Sequence, residues 1–211
     1  MADTAISGLT AATVFNNTDE VAVNQGGVSK KVTGLIIQDW NGGMLRNVST
    51  ATQTPGAAST TYLTNSNIAV PAAKLRVGTV FRWTLTYSKT AVGSTASSFL
   101  LKIGTAGTTA DATILTLTLG GTAAADTAKA EVLVIIRGPL SASCIAQGSL
   151  EIRHLLSTTG FSVVNEVDIV QVTSGTWDAT VANLIVGLAY TSGTGESTTA
   201  FTQIFAEAYN L

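Results

Sequence analysis

The stretch Thr79–Ser88, TVFRWTLTYS, constrains the fold more than any other. Phe81, Trp83, Leu85 and Tyr87 fall on one side of an extended chain, and Arg82, Thr84 and Thr86 on the other. A period of two, built from β-branched and aromatic residues, predicts a strand with one buried face.

Similar segments follow it. Ser98–Gly104 puts Phe99, Leu101 and Ile103 on one face, and Ala112–Leu119 gathers Leu115, Leu117 and Leu119. Ala128–Arg137 starts by alternating and becomes apolar on both faces through Val132, Leu133, Val134, Ile135 and Ile136. That pattern predicts one face in the core and the other against something else. Ser143–Leu155 turns Leu150 and Ile152 inward, with Glu151 and Arg153 outside. Asn165–Thr173 is read with Val167 and Ile169 inward and Asp168 and Val170 opposite. Ala182–Thr191 aligns Leu184, Val186, Leu188 and Tyr190. Ala200–Leu211 is read as a closing strand, although its Ala, Glu and Gln favour helix, because it alternates within an unbroken β context. Turn residues separate the segments. Eight long strands from Thr79 onward suit an eight-stranded jelly-roll sandwich in an all-β chain; another sandwich or a barrel is the alternative. Thr60–Thr64 and Ile68–Val70 are shorter candidates, and Pro71 ends the second or places it at an edge.

The first part of the chain differs. Glu20–Gln25 and Val28–Thr33 alternate and are joined by Gly26-Gly27, which predicts a hairpin. An isolated hairpin is marginal in water, so this piece needs a neighbour. Leu35–Trp40 adds an apolar patch, and Arg46–Ser59 is polar, holds Pro55-Gly56 and reads as a linker. The expected division is an attachment arm with a β-hairpin over 1–45, a linker over 46–59 and a sandwich over 60–211.

Charge sets the expected partners. Only 11% of residues are charged, against about 25% in ordinary soluble domains. A surface this poor in charge is expected to be covered by copies of the chain or by a larger assembly; a secreted or merely charge-poor domain is the plainer alternative. The net charge is −2 and the longest basic run is Lys30-Lys31, which argues against nucleic acid. Met1–Ala12 lacks a positive n-region and a long apolar core, so synthesis as a soluble protein without a signal peptide is expected. The apolar runs are too short for a spanning helix, and no membrane partner is expected. Cys144 stands alone, which excludes an intrachain disulfide and suits a small buried hydrophobe.

Chemistry-bearing residues are sparse. His154 is the single histidine and has no ligand cluster around it, so it reads as a polar core-edge residue. No GxSxG elbow or Walker loop occurs. Glu166 and Asp168 share a strand face, with Glu151 and Asp178 as further acids; facing carboxylates serve glycosidases or Ca²⁺, and a solvated strand face is the plainer reading. No catalytic residue, metal or cofactor is assigned. Trp177 is either a ring platform for a glycan or a lid over the sandwich end, and Tyr209 suits a subunit interface.

Two stretches carry a resemblance. The opening, TAISGLTAATVFNNTDEVAVNQGGVSKKVT, with Ile6, Leu9, Ala11, Ala12, Asp19, Gln25, Gly26, Gly27, Lys30, Lys31 and Val32, resembles the amino-terminal segment of tailed-bacteriophage virion proteins. The part from Leu75 to Leu211, with RVGTVFRWTLTYSKTA, LKIGTAGTTADATIL, the Val172–Asp178 turn and the FAEAYNL end, is similar to jelly-roll domains of phage fibres, collars and head appendages. The resemblance implies a short head fibre, collar component or decoration protein. It implies particle attachment through Ile6, Leu9, Gln25, Gly26, Gly27, Lys30, Lys31 and Trp40, docking on capsid, portal, collar or tail proteins. It also implies a homotrimer with a seam at Val132–Ile136 and Tyr209. A receptor- or glycan-binding tip of the same fold, using Trp177 on a host-surface glycan, is the alternative. A jelly-roll enzyme using His154 or the Glu166/Asp168 pair is the third.

Overall fold

The computed structural model describes residues 20–25, 28–33, 44–90, 96–156, 158–162, 167–193 and 199–211. The chain divides into two units, Met1–Gly43 and Met44–Leu211. In the first, β1 (Glu20–Gln25) pairs antiparallel with β2 (Val28–Thr33), and Gln25 stands opposite Val28. The expected Gly26-Gly27 turn, the arm Met1–Ala12 and the patch Leu35–Trp40 lie outside the described residues.

The second unit is a two-sheet sandwich. Its strands are β3 (Leu45–Ser49), β4 (Thr60–Tyr62), β5 (Ile68–Ala69), β6 (Val80–Lys89), β7 (Ser97–Gly104), β8 (Ala112–Leu119), β9 (Asp126–Gly138), β10 (Ile145–His154), β11 (Val167–Thr173), β12 (Ile185–Thr191) and β13 (Ala200–Tyr209). One sheet has the order β11-β10-β9-β6-β13-β3; the other runs β4-β12-β7-β8, with β5 also on β12. No ladder joins the two sheets among the described residues.

The sandwich therefore has eleven strands where an eight-stranded jelly roll was expected. The eight long strands after Thr79 are all present, and β4 and β5 are the two short candidates. The eleventh, β3, begins at the last residue of the expected arm and runs into the stretch read as a linker. Five residues, LRNVS, are too few to show a period. The ladder to β13, with Val48 opposite Phe205 and Leu45 opposite Ala208, makes them a strand. The first long strand pairs with the last, β6 with β13, and the second with the second-to-last, β7 with β12. The next pair inward, β8 and β11, stays in opposite sheets, each beside its neighbour in sequence.

The alternation read in β6 sets the core. Phe81, Trp83, Leu85 and Tyr87 are buried with Phe99, Leu101, Leu115, Leu117, Leu150, Ile152, Val186 and Leu188 between the sheets. Tyr87 stacks on Phe201 with centroids 5.0 Å apart and meets Phe161 at 4.4 Å, so the ring cluster ties β6, β13 and the 158–162 loop together. Trp83 carries an N–H into this interior and donates it to the Ser66 carbonyl at 2.6 Å. The Ser66 hydroxyl in turn accepts the Leu188 amide at 3.0 Å, so one buried polar link joins β6 to β12 across the core.

β11 is turned over relative to the sequence reading. Val167 and Ile169 are exposed, while Val170 and Val172 pack on the core. Both faces of VDIVQVT carry two valines or isoleucines, so its own pattern is ambiguous. The ladder decides: Leu150, already inward on β10, stands opposite Val170, and directly opposed residues share a face.

Candidate interaction surface

The sandwich offers two outer sheet faces of contrasting chemistry. On the five-stranded sheet, Thr60, Thr191, Ser98 and Thr118 stand in one cross-strand row. Their hydroxyls pair, Thr60 with Thr191 at 2.8 Å and Ser98 with Thr118 at 2.9 Å. The next row is Tyr62, Ala189, Leu100 and Thr116. Lys102 is a cation in the row beyond, and it is buried, with its ammonium donating to the Thr109 and Asp111 carbonyls at 3.0 Å each. The two rows before it carry no charge, because threonine makes strand and water contacts without one.

Tyr62 lies over Gly187, where a Cβ would overlap its hydroxyl. That hydroxyl is buried and has no hydrogen-bond partner among the described residues. Burial, with the Asp111 charge adding, pushes the phenol up to about 12. A shallow groove beside it is lined by Thr60, Tyr62, Thr64, Asn65, Asn67 and Thr108, among others.

The outer face of the six-stranded sheet carries the charge. Arg82 donates to Glu131 at 2.8 Å and to Glu207 at 3.5 Å, and the bond to Glu131 raises its guanidinium pKa. Arg153 pairs with Glu151 at 2.7 Å. Lys129, Glu131, Glu151 and Arg153 together line a hollow between β9 and β10. Exposed apolar side chains flank these charges: Val167 and Ile169 on the edge strand β11, Leu155 just past β10, and Val48 on the opposite edge β3.

The expected seam splits across this sheet. Val132, Val134 and Ile136 are fully buried in the core and cannot meet another copy. β9 is central in the sheet, so half of an all-apolar strand must face inward. Leu133 and Ile135 face outward and are half-buried, as is Tyr209. Burial, then Glu207, raises the Tyr209 phenol pKa, with Arg82 opposing. Of the expected attachment residues, Gln25, Lys30 and Lys31 lie in the β1–β2 ladder. Ile6, Leu9, Gly26, Gly27 and Trp40 fall outside the described residues.

Trp177 is 8% exposed and is part of the core, so it offers no open ring to a glycan. Its backbone bridges Cys144, which lies buried as a free thiol whose pKa burial raises. Asp178 next to it accepts from the Thr180 hydroxyl at 2.6 Å, which lowers its carboxyl pKa.

His154 sits deep at the end of β10, with Nδ1 2.7 Å from Asp126 Oδ2 and both side chains fully buried. Asp126 also accepts backbone N–H groups from Thr127 at 2.8 Å, Leu155 at 3.2 Å and Phe161 at 3.1 Å. Gly160, at φ +91°, lets the loop pass against this carboxylate where any Cβ would collide. The arrangement ties three chain segments together; Asp126 was the member that local sequence could not single out, because its partners lie 28 and 35 residues away. Asp168 accepts from Ser162 at 2.8 Å, and Glu166 lies outside the described residues. Among the described residues no group of three or more His, Cys, Asp or Glu is placed to hold a metal ion. No described helix is long and apolar enough to cross a membrane.

No family model matches the sequence, and no curated protein does. Among solved structures, the chain is similar to the CBM2 module of the evolved Dit of Lactobacillus casei BL23 phage J-1, with 7% identity over 69% of each chain and a TM-score of 0.31. At that level of likeness neither the fold nor the function of this chain follows from it.

Proposed function

We propose that this chain is a structural component of a tailed-phage particle, with no catalytic role, in which the first unit attaches and the sandwich is displayed. The observation that supports this best is the division into two units. Among its described residues the first unit holds a two-stranded sheet, which by itself is marginal in water and suits docking onto a larger partner. The opening segment that resembles virion attachment modules lies in that same unit. The sandwich spends its inward residues on packing and its outward residues on two broad sheet faces. Copies of it meet through the outer face of the six-stranded sheet. Three copies are the form the resemblance implies, with Leu133, Ile135 and Tyr209 as the outward part of the seam.

Particles made without this chain test the reading. Full-length protein added back is expected to sediment with them, and protein beginning at Met44 is expected to stay in the supernatant. Equal binding by both, or by neither, contradicts it.

A receptor- or glycan-binding tip has one observation behind it: the groove beside Tyr62 is lined by neutral hydroxyl and amide groups, which suit a sugar's hydroxyls. It predicts glycan binding that Asn67→Ala weakens and that Trp177→Ala does not touch directly.

A further inference from the structure

On the outer face of the six-stranded sheet, like charges stand directly opposite one another. Glu131 on β9 is the register partner of Glu151 on β10, and Lys129 is the partner of Arg153. Like charges opposed across a ladder are destabilising within one molecule. Exchanging one Glu with one cation would have removed the conflict. As it stands, the face carries a negative row beside a positive row. Each row continues onto β11 as an apolar residue, Ile169 beside Glu151 and Val167 beside Arg153. Glu131 and Glu151 are partly satisfied by Arg82 and Arg153, while Lys129 has no ion pair among the described residues.

We propose that this face binds the same face of a second copy about a two-fold axis running between the two rows and parallel to them. A half-turn about that axis lays the Glu131/Glu151 row of one copy on the Lys129/Arg153 row of the other, and the reverse at the same time. The contact is isologous and closes with two copies. The same rotation lays Ile169 on Val167, so the apolar ends match along with the charges. It also brings Leu155, which is 77% exposed and whose amide donates to the Thr127 carbonyl at 3.2 Å, toward the row holding Leu133 and Ser149. Sheets stacked face to face lie about 10 Å apart, within reach of Glu on Lys or Arg. Charge complementarity of this kind selects a second copy over an unrelated partner, because the pattern is the complement of itself. This pairing does not rest on the phage reading, and it takes the place of the three-copy seam, since both use one face.

A charge-swap experiment on the full chain tests it. One variant carries Glu131→Lys and Glu151→Lys; the other carries Lys129→Glu and Arg153→Glu. In sedimentation equilibrium the unmodified chain is expected at twice 21.6 kDa, dissociating as salt rises. Each variant alone is expected to dissociate at least about a hundredfold more readily, through four like charges facing four. An equimolar mixture is expected to recover the two-copy mass, because both rows are then positive on one variant and negative on the other. Circular dichroism confirms that each variant is folded, and the unmodified chain's mass and salt dependence stand whether or not they fold. A one-copy or three-copy mass for the unmodified chain, undiminished pairing of either folded variant, or folded variants that fail to pair when mixed would each overturn the proposal.

Discussion

At Tyr62 a single hydroxyl has two consequences. It fills the space that Gly187 leaves open, and it is buried without a partner among the described residues. A buried hydroxyl with no bond costs what its desolvation costs, so removing it relieves that cost. Tyr62→Phe is therefore expected to leave stability at neutral pH unchanged or to raise it by up to ~1 kcal/mol, read from urea unfolding. The pH dependence has a definite sign. The folded phenol holds its proton up to about 12 against an ordinary value of 10.0. The folded state thus binds more protons between those values, so the stabilisation is whole below pH 10.0 and is lost as pH rises toward about 12. The difference between wild type and Tyr62→Phe isolates this share from other alkaline titrations. A parallel decline in both proteins would contradict it.

The elements fold as they do because ladders overrule local pattern where that pattern is weak. Four of the long strands were plainly legible in the sequence: β6, β7, β8 and β12 each carry three or four large side chains at a period of two and bury the residues their alternation predicts. The facing of β11 and the presence of β3 were not legible. VDIVQVT offers two equally apolar faces, and LRNVS is too short, so only their partners, β10 and β13, assign them. The seam at Val132–Ile136 was half legible: the sequence shows an apolar strand, but not that neighbours on both sides make it central. The Asp126 tie was not legible at all, since it closes β9, β10 and the 158–162 loop at once. Asp126→Ala takes the carboxylate away from the buried His154 imidazole and from the Thr127 and Phe161 N–H groups, and leaves the Leu155 N–H to the Thr127 carbonyl. Each buried donor left without an acceptor costs ~1–3 kcal/mol, and the urea midpoint is expected to fall accordingly. A loss under about 1 kcal/mol would mean that the loop finds other acceptors.

At the scale of the whole molecule, low charge is spent unevenly. The five-stranded sheet turns out threonine and serine hydroxyls, and much of the sandwich's outward charge is gathered on the six-stranded sheet, in rows that suit another copy. The separate amino-terminal unit suits attachment to something larger. Both features are what the proposed particle component calls for. On the proposed reading, the most direct test is a density map of the intact particle that carries the chain. The account predicts a two-sheet sandwich of eleven strands projecting from the shell, collar or tail, held through residues before Met44. Particles that lack the chain by mass spectrometry and show no such density would contradict it.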